Sequence, residues 1–561
     1  MQIILLFAAV LGLASWLTPN HYPPWVSFHA ELLMMVAFAL ALGSELWQGR
    51  AKTWNLTPLT LVTLALALVP MAQFAGGLIY FAGDAWLVFA YLLAFALSQI
   101  LGQRLATRVG APALLEKLAT LFVLASMMCV GLQLYQWFGL SGLGIFAADL
   151  PPNARPFANV AQPNHLATML FLGLVGTLFL YERRLARGWV TASSCVYLMF
   201  GLTMTGSRTA WLAMAVLLAW LWFARQRAGL RISRAAIVAL GTGLVGLLIS
   251  WAPLCDALLL SEGRTFANQA QAGPRPLLWE TMIDAVSRQP WWGYGWNQGL
   301  VAQSRVVDAH PAAGRLIESS HNLLLDLLVW NGVPLGLMLI GILAWWFWKH
   351  IRIDREPALV YLLAAISGVF VHAMVEYPLS YAYFLLPVGL MMGAIDAATP
   401  LRRRIFKVPR WAVPAAACVA VALLVTVALE YLQVEADNRL MRFESAHIGA
   451  ITVDHEAPHL MLLTQWREYL RFARLEAHTG MSAPELAWMR KVAERYPYAP
   501  VQFRYALANG LNGQPGAAHD TLMRLCSLQT ARLCQESLQG WRELAQSKYP
   551  QLKNVPLPPS S

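Results

Sequence analysis

Thirteen apolar stretches separated by short polar loops constrain this chain more than any other feature. They fall at about 2 to 17, 28 to 47, 57 to 75, 85 to 103, 113 to 138, 165 to 181, 189 to 204, 209 to 224, 235 to 251, 322 to 348, 357 to 376, 380 to 396 and 411 to 430. A helix needs roughly 20 apolar residues to cross a bilayer, and fewer when aromatic residues cap its ends. Basic residues occupy every second loop without a break. They are Arg50 and Lys52; Arg104 and Arg108; Arg183, Arg184 and Arg187; Arg225, Arg227, Arg231 and Arg234; Lys349, Arg352 and Arg355; and Arg402, Arg403, Arg404, Lys407 and Arg410. The positive-inside rule makes those loops cytoplasmic. The intervening short loops hold only Arg155 and Arg208, so they face outward, and so do the long polar segment after Trp251 and the C-terminal tail.

Composition agrees with that reading. Of 561 residues, 58% are hydrophobic and 13% charged, against roughly half and about a quarter in soluble domains. Mean hydropathy is +0.50. The formal charge of +11 resides mostly in the cytoplasmic clusters, so it implies no nucleic-acid partner. Met1 to Leu17 lacks a basic n-region and a small-x-small cleavage site, and is read as a retained first span. The fold class expected is all-α: a polytopic membrane protein with about 13 transmembrane helices. Residues 1–150 are N-terminal spans, 151–400 a core that includes the outer loop 252–321, 401–430 the last span, and 431–561 an outer helical domain.

The long loop is patterned. Leu277, Leu278, Met282, Ala285 and Val286 recur at helical spacing opposite Glu280, Asp284 and Arg288. This predicts an amphipathic helix over 275–289 lying at the membrane interface and stopped by Pro290. The run Trp291-Trp292-Gly293-Tyr294-Gly295-Trp296 then either anchors the loop at headgroup depth or offers rings for sugars to stack on. In the tail, 499–511, a turn at 512–516 and 517–526 read as helix, turn and helix, similar to one tetratricopeptide unit. Cys129, Cys195 and Cys418 fall in apolar runs as small buried thiols. Cys526 and Cys534 are placed to pair if the tail lies in an oxidising compartment.

Several outward residues could carry chemistry. His321 directly precedes a span, after Ser319-Ser320. It is either a general base at the membrane face, with Asn322 holding its ring through a side-chain hydrogen bond, or an interfacial histidine that snorkels. Arg208, in the tight turn Thr205-Gly206-Ser207-Arg208-Thr209, suits bidentate phosphate binding, or serves as a helix-end arginine on carbonyls. Arg264, Arg275, Arg288, Arg305 and Arg315 add charge to the same side. His372 and Glu376 are spaced i, i+4 on one helical face, as a pair that orients a neighbour or buttresses the fold. Zinc is set aside because no HExxH is present. Gln162-Pro163-Asn164-His165 opens a span and either binds a hydroxylated or anionic ligand or caps the helix. There is no Walker A, GxSxG, Rossmann glycine pattern or cysteine metal cluster.

Taken together, three stretches resemble the bacterial O-antigen ligase and polymerase superfamily, and within it the PglL-type protein O-oligosaccharyltransferases. They are Arg155-Pro-Phe-Ala-Asn159 with Gln162-Pro-Asn-His165-Leu-Ala; Trp279 to Trp296; and His321-Asn322 with Gly332, followed by His372-Ala-Met-Val-Glu376-Tyr-Pro. The resemblance is strongest over 150 to 400. Superfamily ligases carry a His-(Asn/Ser/Gln) pair, nine residues and Gly-x-x-Gly. Gly332-Val-Pro-Leu-Gly336 has one residue more between its glycines, a departure from the lipopolysaccharide ligases that leaves the His321-Asn322 match intact.

The resemblance implies en bloc transfer of a glycan from a polyprenyl diphosphate carrier to a Ser or Thr hydroxyl of a periplasmic protein such as a pilin. It implies no cofactor, and a bacterial inner-membrane location with the active site and tail in the periplasm. On this reading His321 is the base, Arg208 with Arg275 holds the diphosphate, and Glu376 orients a partner. Gln162, Asn164, His165, Asn322 and His372 bind substrate, and the lipid tail lies between spans. Two alternatives stay open: a ligase or polymerase using the same donor with lipid A core or glycan as acceptor, and a secondary transporter. A transporter needs ionisable residues near mid-span, whereas here they cluster at the outer face, apart from Glu31 and a few near helix ends.

Overall fold

The structure, a computed structural model, describes residues 2–48, 53–260, 275–353, 356–399, 406–446 and 456–559. Arg50, Lys52, Arg264, Arg355 and Arg402 to Arg404, which entered the reading above, lie outside the described residues.

Each of the thirteen apolar stretches is helical. They form α1 (Gln2–Leu17), α2 (Phe28–Gln48), α3 (Pro58–Ala75), α4 (Ala82–Val109), α5 (Ala111–Trp137), α6 (Pro163–Glu182), α7 (Gly188–Thr205), α8 (Arg208–Ala228) and α9 (Arg234–Leu258). After the loop helices α10 (Arg275–Arg288) and α11 (Gly299–Val306) come α12 (Leu323–Ile353), α13 (Pro357–Ala373), α14 (Ala382–Ala398) and α15 (Ala412–Ser445). Nine described helices are long and apolar enough to cross a membrane; α1, α13 and α14 are apolar but shorter. α15 runs well past the expected end near residue 430, because neither glycine nor proline interrupts it after Pro414. The described chain is a multi-pass, almost wholly helical membrane protein. Its strands, β1 (Thr53–Leu56) and β2 (Phe406–Pro409), form one short antiparallel ribbon with Thr53 opposite Pro409 and Leu56 opposite Phe406.

Two compact units divide the chain. The first comprises Met1–Leu66, Ala90–Gln271 and Leu343–Val425; the second Ala67–Phe89, Ala272–Ile342 and Thr426–Ser561. In the first, α6 is the centre. Every residue from His165 to Phe179 is buried, which requires protein on all sides of a helix that is apolar all round. α5, α7, α8 and α13 pack around it. α4 and α14 approach backbone to backbone, because a side chain on Gly102 would run into the Leu390 carbonyl and one on Gly393 into that of Gln99. Asp396 accepts the Trp346 indole at 3.0 Å and bonds His350 Nε2 at 3.1 Å, tying α12 to α14.

In the second unit α10 uses its apolar stripe on protein rather than on a lipid surface. Leu278, Met282 and Ala285 form a core with Tyr294, Val301, Val306, Ile317 and Val329. The tail folds as α16 (Thr464–Arg474), α17 (Ala483–Arg495), α18 (Ala499–Leu511), α19 (Pro515–Leu528) and α20 (Ala531–Ser547). Around Met489, Val492, Ala506, Leu522 and Trp541 they bury a common core. A disulfide joins Cys526 to Cys534, as the spacing allowed. Cys129 and Cys195 are buried as expected, whereas Cys418 is exposed, since it lies on a face of α15 that no other described helix covers. Asp84 in the first turn of α4 holds Arg495 through two bonds, at 2.8 and 2.9 Å.

Candidate active site

The first unit gathers most of the polar residues flagged in the sequence. Gln162 is the N-cap of α6: its side-chain oxygen accepts the His165 amide at 2.7 Å, and Pro163 follows at the first helical position. That fixes the next two side chains. Asn164 donates to Glu376 Oε1 at 3.1 Å, and His165 Nδ1 bonds the Tyr383 hydroxyl at 2.9 Å. One turn on, the Thr168 hydroxyl bonds His372 Nδ1 at 2.6 Å. His372 and Glu376 therefore both reach α6, through Thr168 and Asn164. The regular part of α13 closes at Ala373, so Glu376 stands in the following turn rather than on the helical face expected.

The His165 ring packs edge-on against Tyr381 at 4.4 Å and lies 5.6 Å from that of His372. His165 is 1% exposed, and its Nε2 has no hydrogen-bond partner among the described residues. Behind Tyr381 and Tyr383 sits Glu31, also buried. It accepts the Ala382 amide at 2.8 Å, the Ser27 hydroxyl at 2.6 Å, the Trp25 indole at 2.9 Å and the Tyr91 hydroxyl. A buried carboxylate with this many donors anchors the start of α14, and with it both tyrosines.

Arg208 is the first residue of α8, after the left-handed Gly206 and the N-cap Ser207. Arg155 reaches the same turn and donates to the Thr205 and Gly206 carbonyls at 2.9 and 3.1 Å. The Arg155–Asn159 segment is otherwise a latch. The Asn159 amide donates to the Leu17 and Phe146 carbonyls, while Gln136 accepts the Phe157 and Ala158 amides.

In the second unit His321 sits on a tightly specified turn. Its φ is +54°, a left-handed conformation in which histidine is uncommon. Asp326, 3% exposed, imposes it. One carboxylate oxygen accepts the Ser319 hydroxyl at 2.6 Å and the other the Ser320 amide at 2.7 Å, while Ser319 Oγ accepts the His321 amide at 3.0 Å. Trp279 of α10 closes the turn by donating to the Ser320 carbonyl at 3.0 Å. Asn322 Oδ1 accepts the Leu324 and Leu325 amides, so that oxygen serves as the N-cap of α12. Arg275 opens α10 in the same unit.

The aromatic run divides in two. Trp291 and Trp292 are 71% and 73% exposed, whereas Tyr294 is buried and Trp296 donates to Asn331 at 2.9 Å. Gly293 and Gly332 lie backbone to backbone; Gly332, at φ +73°, breaks α12 there, and Val333 donates to the Pro290 carbonyl at 2.7 Å. This is what the glycine ten residues beyond Asn322 does: it lets the aromatic loop seat against α12.

Comparison with known proteins follows this order of elements. Residues 156–181 match a protein glycosylation ligase family, 193–340 an O-antigen ligase family, and 360–529 the C-terminal part of a virulence factor membrane-bound polymerase family. A general O-oligosaccharyltransferase of Acinetobacter baylyi is 31% identical over 505 residues, 88% of this chain and 86% of that protein. The chain belongs to the PglL-type O-oligosaccharyltransferases. A second such relative, the ComP-specific O-oligosaccharyltransferase of the same organism, is 25% identical over 77% of this chain and 78% of its own length. An O-antigen ligase of Pseudomonas aeruginosa is 31% identical over 173 residues, only 30% of this chain and 36% of that protein. As an O-oligosaccharyltransferase-family member, the chain is a glycosyltransferase.

Sequence reasoning passed over Tyr383, Thr168, Asp326 and the anchoring role of Glu31. For Asp326 and Glu31 the signal was present, as a carboxylate inside an apolar run demands partners. Tyr383 gave none, because its partner His165 is 218 positions away.

Proposed function

We infer that this protein transfers an oligosaccharide en bloc from a polyprenyl diphosphate carrier to serine or threonine hydroxyls of proteins on the periplasmic face of the bacterial inner membrane, pilin-like proteins among them. The observation that carries the reading is 31% identity to a general O-oligosaccharyltransferase across nearly the full length of both chains. The acceptor oxygen attacks the anomeric carbon, and its proton passes to His321. The bond from that carbon to the diphosphate oxygen breaks with its electron pair on the diphosphate. Arg208 and Arg275 supply positive charge for the developing anion. Glu376 orients Asn164. Gln162, Asn164, His165 and His372 line the ground for the glycan and its diphosphate, while Asn322 sets the start of the helix behind His321. The core 151–400 holds the donor, its loop 252–321 carries the base, and the helical tail 431–561 serves the protein acceptor.

Two features support these roles. An anion-binding arginine suits the first turn of a helix, and the His321 turn is held by a buried carboxylate that no simple snorkelling residue requires. The test expresses wild type and His321→Ala at equal membrane levels in a glycosylation-null bacterium that makes the lipid-linked glycan. Glycosylated acceptor protein with wild type alone supports the reading. Glycan on lipopolysaccharide with unmodified proteins would transfer the protein to the lipid A ligases, and an active His321→Ala would remove histidine from the role of base.

A further inference from the structure

Three span ends meet at the N-terminal end of α16, where residues 461–463 lead into the helix. α3 finishes with Phe74 and Ala75. At the start of α4 the Gly83 amide donates to the Thr464 hydroxyl at 2.9 Å. Just past the apolar part of α15, Glu430 accepts the amides of Met461, Leu462 and Leu463 at 2.7–3.1 Å. All three belong to one compact unit. That end of α16 therefore lies at the depth where hydrocarbon gives way to water.

A cleft of about 530 Å³ opens there. One wall is apolar, built by Phe74 and Phe81 at the ends of α3 and α4; the other carries Arg467 and Arg471 of α16 and Trp488 and Lys491 of α17. Glu468 is the one carboxylate in the lining. It binds Arg467 at 2.7 Å, accepts the Trp488 indole at 2.8 Å and stands 3.8 Å from Arg471. Three cations against one carboxylate leave a net charge of +2. The Arg471 guanidinium lies 4.5 Å from the Trp488 ring centre. Lys491 is exposed, and among the described residues no carboxylate lies within ion-pair distance of it.

A net positive charge beside an aromatic ring, at the end of membrane spans and facing an apolar wall, matches an amphiphile with an anionic head. We propose that this cleft holds the phosphate headgroup of a membrane-embedded lipid, its chains descending along the Phe74 end of α3. An acidic peptide would satisfy the cations but not the apolar wall at hydrocarbon depth, so the lipid is the better fit.

The test uses the purified full-length protein in mild detergent, as wild type, as Arg471→Gln/Lys491→Gln, and as Arg532→Gln, a control at an exposed cation of α20. Probes are phosphatidylglycerol, phosphatidylcholine with the same chains, and undecaprenyl diphosphate, with inorganic phosphate and an acidic peptide as competitors. Wild type and the control prefer at least one anionic lipid over phosphatidylcholine. The double variant loses that preference by roughly 30-fold, the effect of removing two net charges at a membrane surface. Loss for phosphatidylglycerol alone identifies a structural phospholipid; loss for undecaprenyl diphosphate identifies the carrier lipid. Equal binding of all lipids by wild type, an unchanged preference in the double variant, or displacement by inorganic phosphate or the peptide at equal concentration would overturn the proposal.

Discussion

Replacing Asp326 probes the device that presents His321. Its carboxylate receives the Ser319 hydroxyl at 2.6 Å and the Ser320 amide at 2.7 Å from a 3%-exposed position. Hydrogen bonds to a charged acceptor contribute about 1.5–3 kcal/mol each, so the two together hold the turn with roughly 3–6 kcal/mol. The left-handed backbone at His321 costs about 1–2 kcal/mol and persists only while something outweighs it. Asp326→Ala removes both bonds, and the turn relaxes to an ordinary conformation. Asp326→Asn keeps one acceptor and holds it in part. The expected result is a loss of turnover of roughly 100-fold for alanine and roughly tenfold for asparagine, with the KM for the lipid-linked donor little changed, because the residues proposed to hold its diphosphate, Arg208 and Arg275, make none of these bonds. The assay is the initial rate of glycan transfer to an acceptor protein, normalised to folded enzyme in the membrane. Wild-type turnover by Asp326→Ala would refute the argument that this carboxylate positions His321.

Other perturbations follow from the same geometry. Gly332→Ala places a methyl group 2.5 Å from the Trp291 carbonyl at a position with φ +73°, where backbone cannot yield; a loss of about 3 kcal/mol is expected, and an unchanged thermal midpoint would contradict the packing. Cys526→Ser with Cys534→Ser opens a loop of sequence separation 8. Chain-entropy arguments assign such a closure about 2.5 kcal/mol. Hydrogen exchange over α19 and α20 should rise, and exchange equal to wild type would show that the bridge contributes nothing. Burial pushes the Asp284 carboxyl up, but hydrogen bonds from Arg288 and His310 outweigh it and leave it below its ordinary 3.8. A depressed folded value means that its stabilisation is complete above about pH 4 and fades as pH falls through that folded value. Protection of α10 should therefore hold above about pH 4, drop as pH falls below that in wild type and stay flat in Asp284→Asn, and identical profiles would exclude the linkage.

What the sequence revealed tracks the range of the forces involved. Helices in lipid are dictated locally by apolar length, so all thirteen stretches are helical, and Pro290 and the glycines that follow mark the loop helix's end correctly. The amphipathic stripe of α10 was legible too, but not its destination: a stripe states only that one face must be covered, and here Val301, Val306 and Ile317 cover it instead of lipid. The same limit applies to the site. Gln162, Asn164 and His165 are neighbours in the chain and could be grouped on sight, and His372 and Glu376 likewise. That the two groups join, through Thr168 and Asn164, depends on helices more than 200 residues apart. Gly332 was visible as a recurring glycine, while its physical task, close approach to the Pro290–Gly293 backbone, needed three dimensions.

The central claim is en bloc transfer to protein hydroxyls, and purified components test it most directly. The enzyme is mixed with a polyprenyl-diphosphate-linked oligosaccharide of known mass and an acceptor protein, without nucleotide sugars, and the intact acceptor is weighed by mass spectrometry. The account predicts a single added mass equal to the whole oligosaccharide, located on serine or threonine and absent with His321→Ala. Stepwise addition of single sugars, or an acceptor left unmodified while the donor is consumed by a lipid or glycan acceptor, would contradict it.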